Sequence, residues 1–224
     1  MRTNKLILSI GMIVSSIVSF AQLKTQDVFN KTELVWYGLD FSKSKFVGKF
    51  ETIKGAKPIN SYELINKYIP SWNEIIVNEP YNFDLENTFW KKSIYYDLSP
   101  VASVNSKIPT QDLITVNSNA IMSSDLTQMI TNYKIGNKTN GLGLVFIVES
   151  FNKPKMLASV WVVFFDIETK KILLNKYCEG KPLGFGLRNY WAGSIKDILS
   201  HIRKRKFSQW SKESASLALR KKIN

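Results

Sequence analysis

Two glycines and an arginine form the pattern in this chain that is most easily linked to chemistry. The segment Gly184-Phe-Gly186-Leu-Arg188-Asn189 follows a predicted strand and precedes a predicted helix. Glycines at a helix start let an anion approach the backbone amides, and an arginine adds a fork of donors. We therefore predict a ligand-binding site at Gly184, Gly186, Arg188 and Asn189. The structural alternative is a glycine-rich corner that only turns the chain from sheet to helix.

Four consecutive cations, Arg203, Lys204, Arg205 and Lys206, are the densest charge feature, and Trp210 follows them. A basic helix end complements the helix dipole. Neighbouring like charges repel, however, so capping alone does not explain four cations. Cations beside an interfacial tryptophan are typical of binding to an anionic surface of lipid headgroups or glycans. We predict such a surface here, and the alternative is a solvated tail.

Candidate catalytic groups are sparse. The only histidine, His201, has Asp197 one helical turn before it, which is an ordinary surface pair. The only cysteine, Cys178, ends a strand, where a buried and inert thiol is expected. Three carboxylates lie near predicted strand ends: Asp40, Glu149 and Asp166. Glycosidases need two paired carboxylates, and the sequence gives no such pairing. We therefore predict no catalytic residue. We also predict no metal ligand and no cofactor.

Composition narrows the class of protein further. The 224 residues include 31 basic and 18 acidic side chains, a formal charge of +13, and 44% are hydrophobic. A single cysteine excludes a disulfide framework and Cys-rich zinc modules. A single histidine excludes mechanisms that need two imidazoles. The profile is that of a globular domain.

The amino terminus predicts export. Arg2 and Lys5 precede an apolar run, residues 6–21, which ends Val18-Ser19-Phe20-Ala21. This is the layout of a cleavable signal peptide, with cleavage between Ala21 and Gln22. The alternative is a transmembrane anchor, which needs roughly 20 apolar residues. The run 6–21 is shorter than that, so we expect a cleaved signal peptide and no transmembrane segment after cleavage. An exported basic protein rarely meets nucleic acid; anionic lipid headgroups, glycans and acidic envelope proteins are its available partners.

The remaining pattern predicts one domain, 22–210, followed by a basic tail, 211–224, whose order the sequence leaves open. Strands are expected at 34–41, 46–50, 93–98 and 112–116, and helices at 60–76, 85–92, 123–133 and from about 189. Pro70 should kink or split the first of these helices. Runs 142–151, 157–167 and 171–178 are separated by short turns and predict an antiparallel meander. The expected fold class is α/β (α+β), a mixed, largely antiparallel sheet packed against helices.

The hairpin of residues 157–178, with its turn Asp166-Ile-Glu-Thr169-Lys-Lys, resembles a pattern in several exported proteins. These are the TolB amino-terminal domain, the curli-export lipoprotein CsgG and penicillin-binding-protein activator lipoproteins. The order of strands and helices is similar to theirs as well. Gly184-Phe-Gly-Leu-Arg-Asn-Tyr-Trp191 resembles a segment of exported proteins of unknown function. The first resemblance implies an accessory or assembly role in the envelope without catalysis. There is no lipidation cysteine after the apolar run, so the lipoprotein route is not carried over.

Together these observations predict a periplasmic or secreted, non-catalytic binding protein of a diderm envelope. Its partner is an envelope protein or an anionic surface component. The alternative function is a carboxylate-based hydrolase that acts on glycans or peptides.

Overall fold

The computed structural model describes residues 22–117, 120–134 and 136–223. The predicted signal peptide, residues 1–21, lies outside the described residues. Seven strands form one sheet: β1 Glu33–Asp40, β2 Lys45–Val47, β3 Ser93–Tyr96, β4 Ile114–Thr115, β5 Leu142–Asn152, β6 Leu157–Asp166 and β7 Ile172–Gly180.

Eight α-helices surround this sheet: α1 Asp27–Asn30, α2 Ser61–Glu63, α3 Ile69–Asn78, α4 Leu85–Phe89, α5 Ser99–Asn105, α6 Ser123–Asn132, α7 Gly186–His201 and α8 Phe207–Ile223, counted over the described ranges. Two π-helical turns, Leu64–Tyr68 and Ile202–Lys206, join α2 to α3 and α7 to α8. Within these ranges no helix has both the length and the apolar character needed to cross a bilayer.

The long strand β5 is the centre of the sheet. Its first half pairs with β1 and its last residues pair with β2, so β1 and β2 follow one another along the same edge. β3 pairs with β1 and β4 pairs with β2, which extends the sheet outward. β6 pairs with the opposite edge of β5, and β7 pairs with β6.

The predicted largely antiparallel sheet was wrong. The strands β3, β1, β5, β2 and β4 are joined by parallel pairings alone. Antiparallel pairing joins β5 to β6 and β6 to β7, the three runs that short turns connect. The physical reason is the length of the connections: parallel neighbours need a crossover, and the helices between β1 and β5 supply it.

Apolar clusters cover both faces of the sheet. One face packs against α3, α4, α7 and α8, where Trp191 stacks on Phe151 with ring centroids 4.5 Å apart. The other face packs against α5 and α6. Every residue of β5 is buried, as expected for a strand covered on both sides. The helix predicted from about residue 189 corresponds to α7, and Trp191, Ile195 and Leu199 lie on its buried side.

The π-helical turn before α3 explains how the helix passes Pro70. Proline has no N–H to donate, and its ring crowds the carbonyl of the preceding turn. A π turn widens the backbone just before the proline and lets the helix continue. The predicted split therefore takes the form of a change in helix type at Leu64–Tyr68.

Candidate functional site

Two large apolar side chains stand out from the loop between β7 and α7. Leu183 is 81% exposed and Phe185 is 86% exposed. Single exposed apolar residues are common on protein surfaces, but a pair at one loop tip is typical of a binding site. Neither residue was predicted to be exposed, because apolar side chains beside glycines resemble the residues that anchor the following helix in the core. The sequence feature that indicates their exposure is the alternation Pro-Leu-Gly-Phe-Gly, because the glycines have no side chains that could cover the leucine and the phenylalanine.

The loop is held against α7 by backbone contacts. The Leu183 N–H donates to the Tyr190 carbonyl at 3.1 Å. Gly193 lies against the Leu183 carbonyl, where a Cβ atom would be only 1.9 Å from that oxygen. Gly184 has a φ of +142°, and a Cβ there would lie 2.8 Å from the Asn189 carbonyl oxygen. These glycines let the loop fold back onto the helix, so the two apolar side chains project from a fixed backbone.

The first turn of α7 is anchored on its inner side as well. The Trp72 indole Nε1 donates to the Arg188 carbonyl at 2.9 Å, which ties the helix start to α3. The Lys181 N–H donates to an Asp197 carboxylate oxygen at 2.9 Å. The loop is therefore fixed at its entry and at its exit.

The turn between β5 and β6 lies at the same end of the sheet as this loop. The pairing of Ala158 with Gly180 brings the two connections side by side. The ammonium group of Lys153 lies over the Tyr190 ring, 4.3 Å from its centroid. Pro154 packs against Gly48, and Met156 is 60% exposed.

We call this region the apolar–basic surface and define it by Lys155, Met156, Lys181, Leu183, Phe185 and Arg188, all of which are exposed. Three apolar side chains and three cations thus share one end of the molecule.

The four residues predicted to bind an anion all lie in this loop and the first turn of α7. Arg188 and Asn189 are exposed. The backbone of Asn189 and Tyr190 fills the space beside Gly184. The missing side chain at Gly184 therefore makes room for the protein's own backbone and not for a ligand. Gly186 has a φ of +76° and open space around it. Gly184 therefore has a structural role, while Gly186, Arg188 and Asn189 remain accessible.

The predicted basic surface spans the second π-helical turn and the start of α8, and two of its five members differ from the prediction. Arg203, Lys204 and Arg205 are exposed, and Arg203 pairs with Asp84 at 3.3 Å. Lys206 is half-buried, with its Nζ 3.8 Å from the Cys178 Sγ. Trp210 is buried, so its ring is not at the surface.

The reason for this burial is the packing beneath α8. The Trp210 ring makes an edge contact with Phe207, and the Lys176 ammonium group lies 6.0 Å from its centroid. A tryptophan three residues after a core phenylalanine is on the inner side of the helix.

The three carboxylates singled out in the sequence are buried and hydrogen-bonded within the protein. Asp40 accepts from the Tyr133 hydroxyl and the Ser42 N–H, and burial raises the pKa of its carboxyl group. Glu149 accepts from the Ile121 N–H at 2.8 Å.

Asp166 accepts from the Leu23 and Glu168 N–H groups, each at 3.0 Å. All three carboxylates thus fix strand ends and loops. Over the described ranges no group of three or more His, Cys, Asp or Glu residues is placed to hold a metal ion.

The histidine and the cysteine lie in ordinary environments. His201 Nδ1 is 3.7 Å from an Asp197 oxygen on the surface of α7. Cys178 is buried, and its burial raises the pKa of the thiol although Lys206 and Lys176 lie near it and act in the opposite direction.

No protein-family model matches the chain, and no curated protein matches it. The resemblances drawn from the hairpin and from the segment 184–191 therefore stay predictions.

Proposed function

We propose that the protein is an exported, non-catalytic accessory of the cell envelope that attaches to an anionic lipid surface through the apolar–basic surface. The observation that carries this proposal is the exposure of Leu183 and Phe185 on a loop whose backbone is fixed. Exposed apolar side chains have a free-energy cost in water that only a binding partner removes.

The chemistry of the surface matches what an anionic lipid surface offers. Burial of one leucine and one phenylalanine contributes roughly 3–6 kcal/mol. Each lysine or arginine near an anionic membrane adds about 1 kcal/mol. Stable attachment to a membrane generally needs two contributions together. The first is the apolar burial, and the second is the positive charge of Lys155, Lys181 and Arg188.

The basic residues 203–205 do not belong to the same interface. They follow Gly186 by about 17 to 19 residues along the helix, which at 1.5 Å per residue is roughly 25 Å. Trp210, which follows these cations, is buried, whereas Leu183 and Phe185 are exposed beside the cations of the loop. The proposal therefore assigns docking to the loop and leaves residues 203–205 as a solvated, basic helix segment.

The proposed location rests on the predicted signal peptide, residues 1–21, and on the net charge. The hydrolase alternative is not proposed, because its candidate carboxylates are hydrogen-bonded to strand ends and loops.

Flotation with lipid vesicles tests the proposal. The wild-type protein should bind vesicles of mixed phosphatidylcholine and phosphatidylglycerol at low salt, and binding should weaken as salt rises because counterions screen the cations. The double variant Leu183→Ser/Phe185→Ser should lower the partition coefficient at least tenfold, since most of the apolar burial is lost.

Two control variants distinguish binding through this loop from nonspecific adsorption to the vesicles. Tyr95→Ser removes an aromatic side chain that is 41% exposed at the opposite end of the sheet, where Tyr95 pairs with Val35 and Val35 pairs with Gly143, and it should leave binding unchanged. Lys204→Gln/Arg205→Gln removes two cations from the far end of the helix and should weaken binding less than Lys155→Gln/Lys181→Gln does. Wild-type binding to acidic protein but not to vesicles, or equal binding by the Leu183→Ser/Phe185→Ser variant, contradicts the proposal.

A further inference from the structure

A second candidate site, separate from the apolar–basic surface, lies between α3 and α5. α3 belongs to the apolar cluster on one face of the sheet, and α5 belongs to the cluster on the other face. Both helices contact β1. The chain reaches α3 after β2 and enters α5 directly after β3, so two different connections flank the carboxyl end of β1 on opposite faces of the sheet. In α/β sheets this arrangement opens a crevice at the carboxyl ends of the strands, where ligands bind.

The outer row of the sheet is interrupted beside this crevice. The pairing of β3 with β1 ends at Trp36, and the pairing of β4 with β2 begins at Phe46. Two asparagine side chains bond to the β1 backbone between these points. Asn73 accepts from the Leu39 N–H at 2.6 Å and donates to the Leu39 carbonyl at 3.1 Å. Asn105 donates to the same carbonyl at 2.9 Å and accepts from the Phe41 N–H at 2.8 Å.

Gly38 makes this arrangement possible. Its φ is +106°, and a Cβ atom there would lie 2.3 Å from the Asn73 side-chain oxygen. Amide groups thus replace a strand, but they fill less volume than a strand would. The remaining space is a cavity of about 310 Å³, a size at the lower end of small-molecule sites.

The cavity has apolar walls and an acceptor-rich polar rim. Its apolar lining is Ile65, Ile69, Pro70, Leu98 and Ala102. Of the residues that the structure describes, Glu74 is the only charged one in the lining, and it is exposed. Among the described residues Glu74 has neither a hydrogen bond nor a salt bridge from its side chain. Ser106, also in the lining, donates its hydroxyl hydrogen to the Ser103 carbonyl at 3.2 Å.

We propose that this crevice binds a small organic amine. The apolar body of the ligand lies between α3 and α5, and its ammonium group pairs with the Glu74 carboxylate. An anionic ligand is disfavoured, because the only charge in the lining is negative. The site shares no lining residue with the apolar–basic surface.

Three probes that share a phenethyl group test the proposal by NMR titration of the full-length chain. Phenethylamine carries a positive charge, phenethyl alcohol is neutral, and 3-phenylpropionate is negative. The amine should bind most tightly, with shift changes in 65–74 and 98–106. Glu74→Gln should weaken amine binding about tenfold, the loss expected for one charge-assisted hydrogen bond, and should leave the alcohol unchanged.

Two further variants make the result specific. Ala102→Phe places a ring in the cavity from an exposed position of α5 and should abolish binding of the amine and the alcohol. Glu168→Gln removes the same charge from an exposed turn that does not line the cavity, and should change nothing. No saturable amine binding, equal affinity for the amine and the carboxylate, or unchanged binding in Ala102→Phe would overturn the proposal.

Discussion

At the scale of single residues, Lys91 is the group whose burial has the clearest consequence. Its side chain is buried, and its Nζ donates to the carbonyls of Val28 and Lys31 at 2.7 and 2.9 Å. Burial lowers the pKa of Lys91 from 10.5 to about 8, because the charged form loses hydration. A neutral amine still has two hydrogens, which match the two carbonyls.

This pKa predicts how stability depends on pH. Between pH 8 and 10 the unfolded chain holds the lysine proton and the folded protein has lost it, so unfolding takes up a proton. The free energy of unfolding should therefore rise with pH in this window, by at most about 1.4 kcal/mol per pH unit from this group. Urea unfolding at several pH values between 7.5 and 9.5 measures the slope.

The variant Lys91→Met removes the titrating group, so its free energy of unfolding should lack the rise with pH that Lys91 causes. Tyr37 acts in the opposite sense at higher pH. Burial raises the pKa of Tyr37 to about 12, so its contribution to stability is lost only above pH 10, as pH rises toward the pKa of the folded protein. Equal slopes for Lys91→Met and wild type below pH 10 would refute the buried titration.

Trp210 shows where single-residue inference from the sequence failed. A tryptophan after four cations matches the composition of an interfacial segment, but composition does not give the side of the helix. Phe207 already belongs to the core, and Trp210 follows it at a helical spacing. The exposed pair Leu183 and Phe185 was missed for the complementary reason, since their exposure depends on glycine contacts made within the fold.

At the scale of elements, the loop before α7 depends on Gly193. A methyl group there would meet the Leu183 carbonyl oxygen at 1.9 Å, so the loop has to move away from the helix. Gly193→Ala should weaken binding to anionic vesicles several-fold, because Leu183 and Phe185 lose their fixed position.

Flotation of the Gly193→Ala variant measures this effect, with thermal unfolding as the check on folding. Gly55→Ala is the control, since it adds the same methyl group at an exposed turn with nothing within 4 Å, although Gly55 has a φ of +84° and Gly193 is a helical residue. Unchanged vesicle binding in a folded Gly193→Ala protein would show that the loop position is not important.

Strand positions were predictable from the sequence to within a few residues, but strand partners were not. The runs predicted at 142–151, 157–167 and 171–178 correspond to β5, β6 and β7, since alternation and turn residues are local signals. The partner of β1 lies about a hundred residues along the chain in β5. Its direction depends on the helices between them and not on any local pattern, so the parallel part of the sheet was missed.

At the scale of the whole molecule, the continuous helical segment 186–223 separates two basic regions. Its beginning supports the exposed pair at 183–185, and the cations of residues 203–205 lie roughly 25 Å further along it. Without Arg2 and Lys5 of the predicted signal peptide the net charge falls from +13 to +11, and this charge attracts the protein to an anionic surface. In the proposed attachment, the exposed apolar side chains determine which end of the protein inserts.

Hydrogen–deuterium exchange of the full chain, with and without anionic vesicles, tests this orientation most directly. The account predicts slower exchange in peptides covering 153–157 and 181–190 when vesicles are bound, and unchanged exchange in 200–208. Slower exchange confined to 200–208, with 181–190 unaffected, would contradict it.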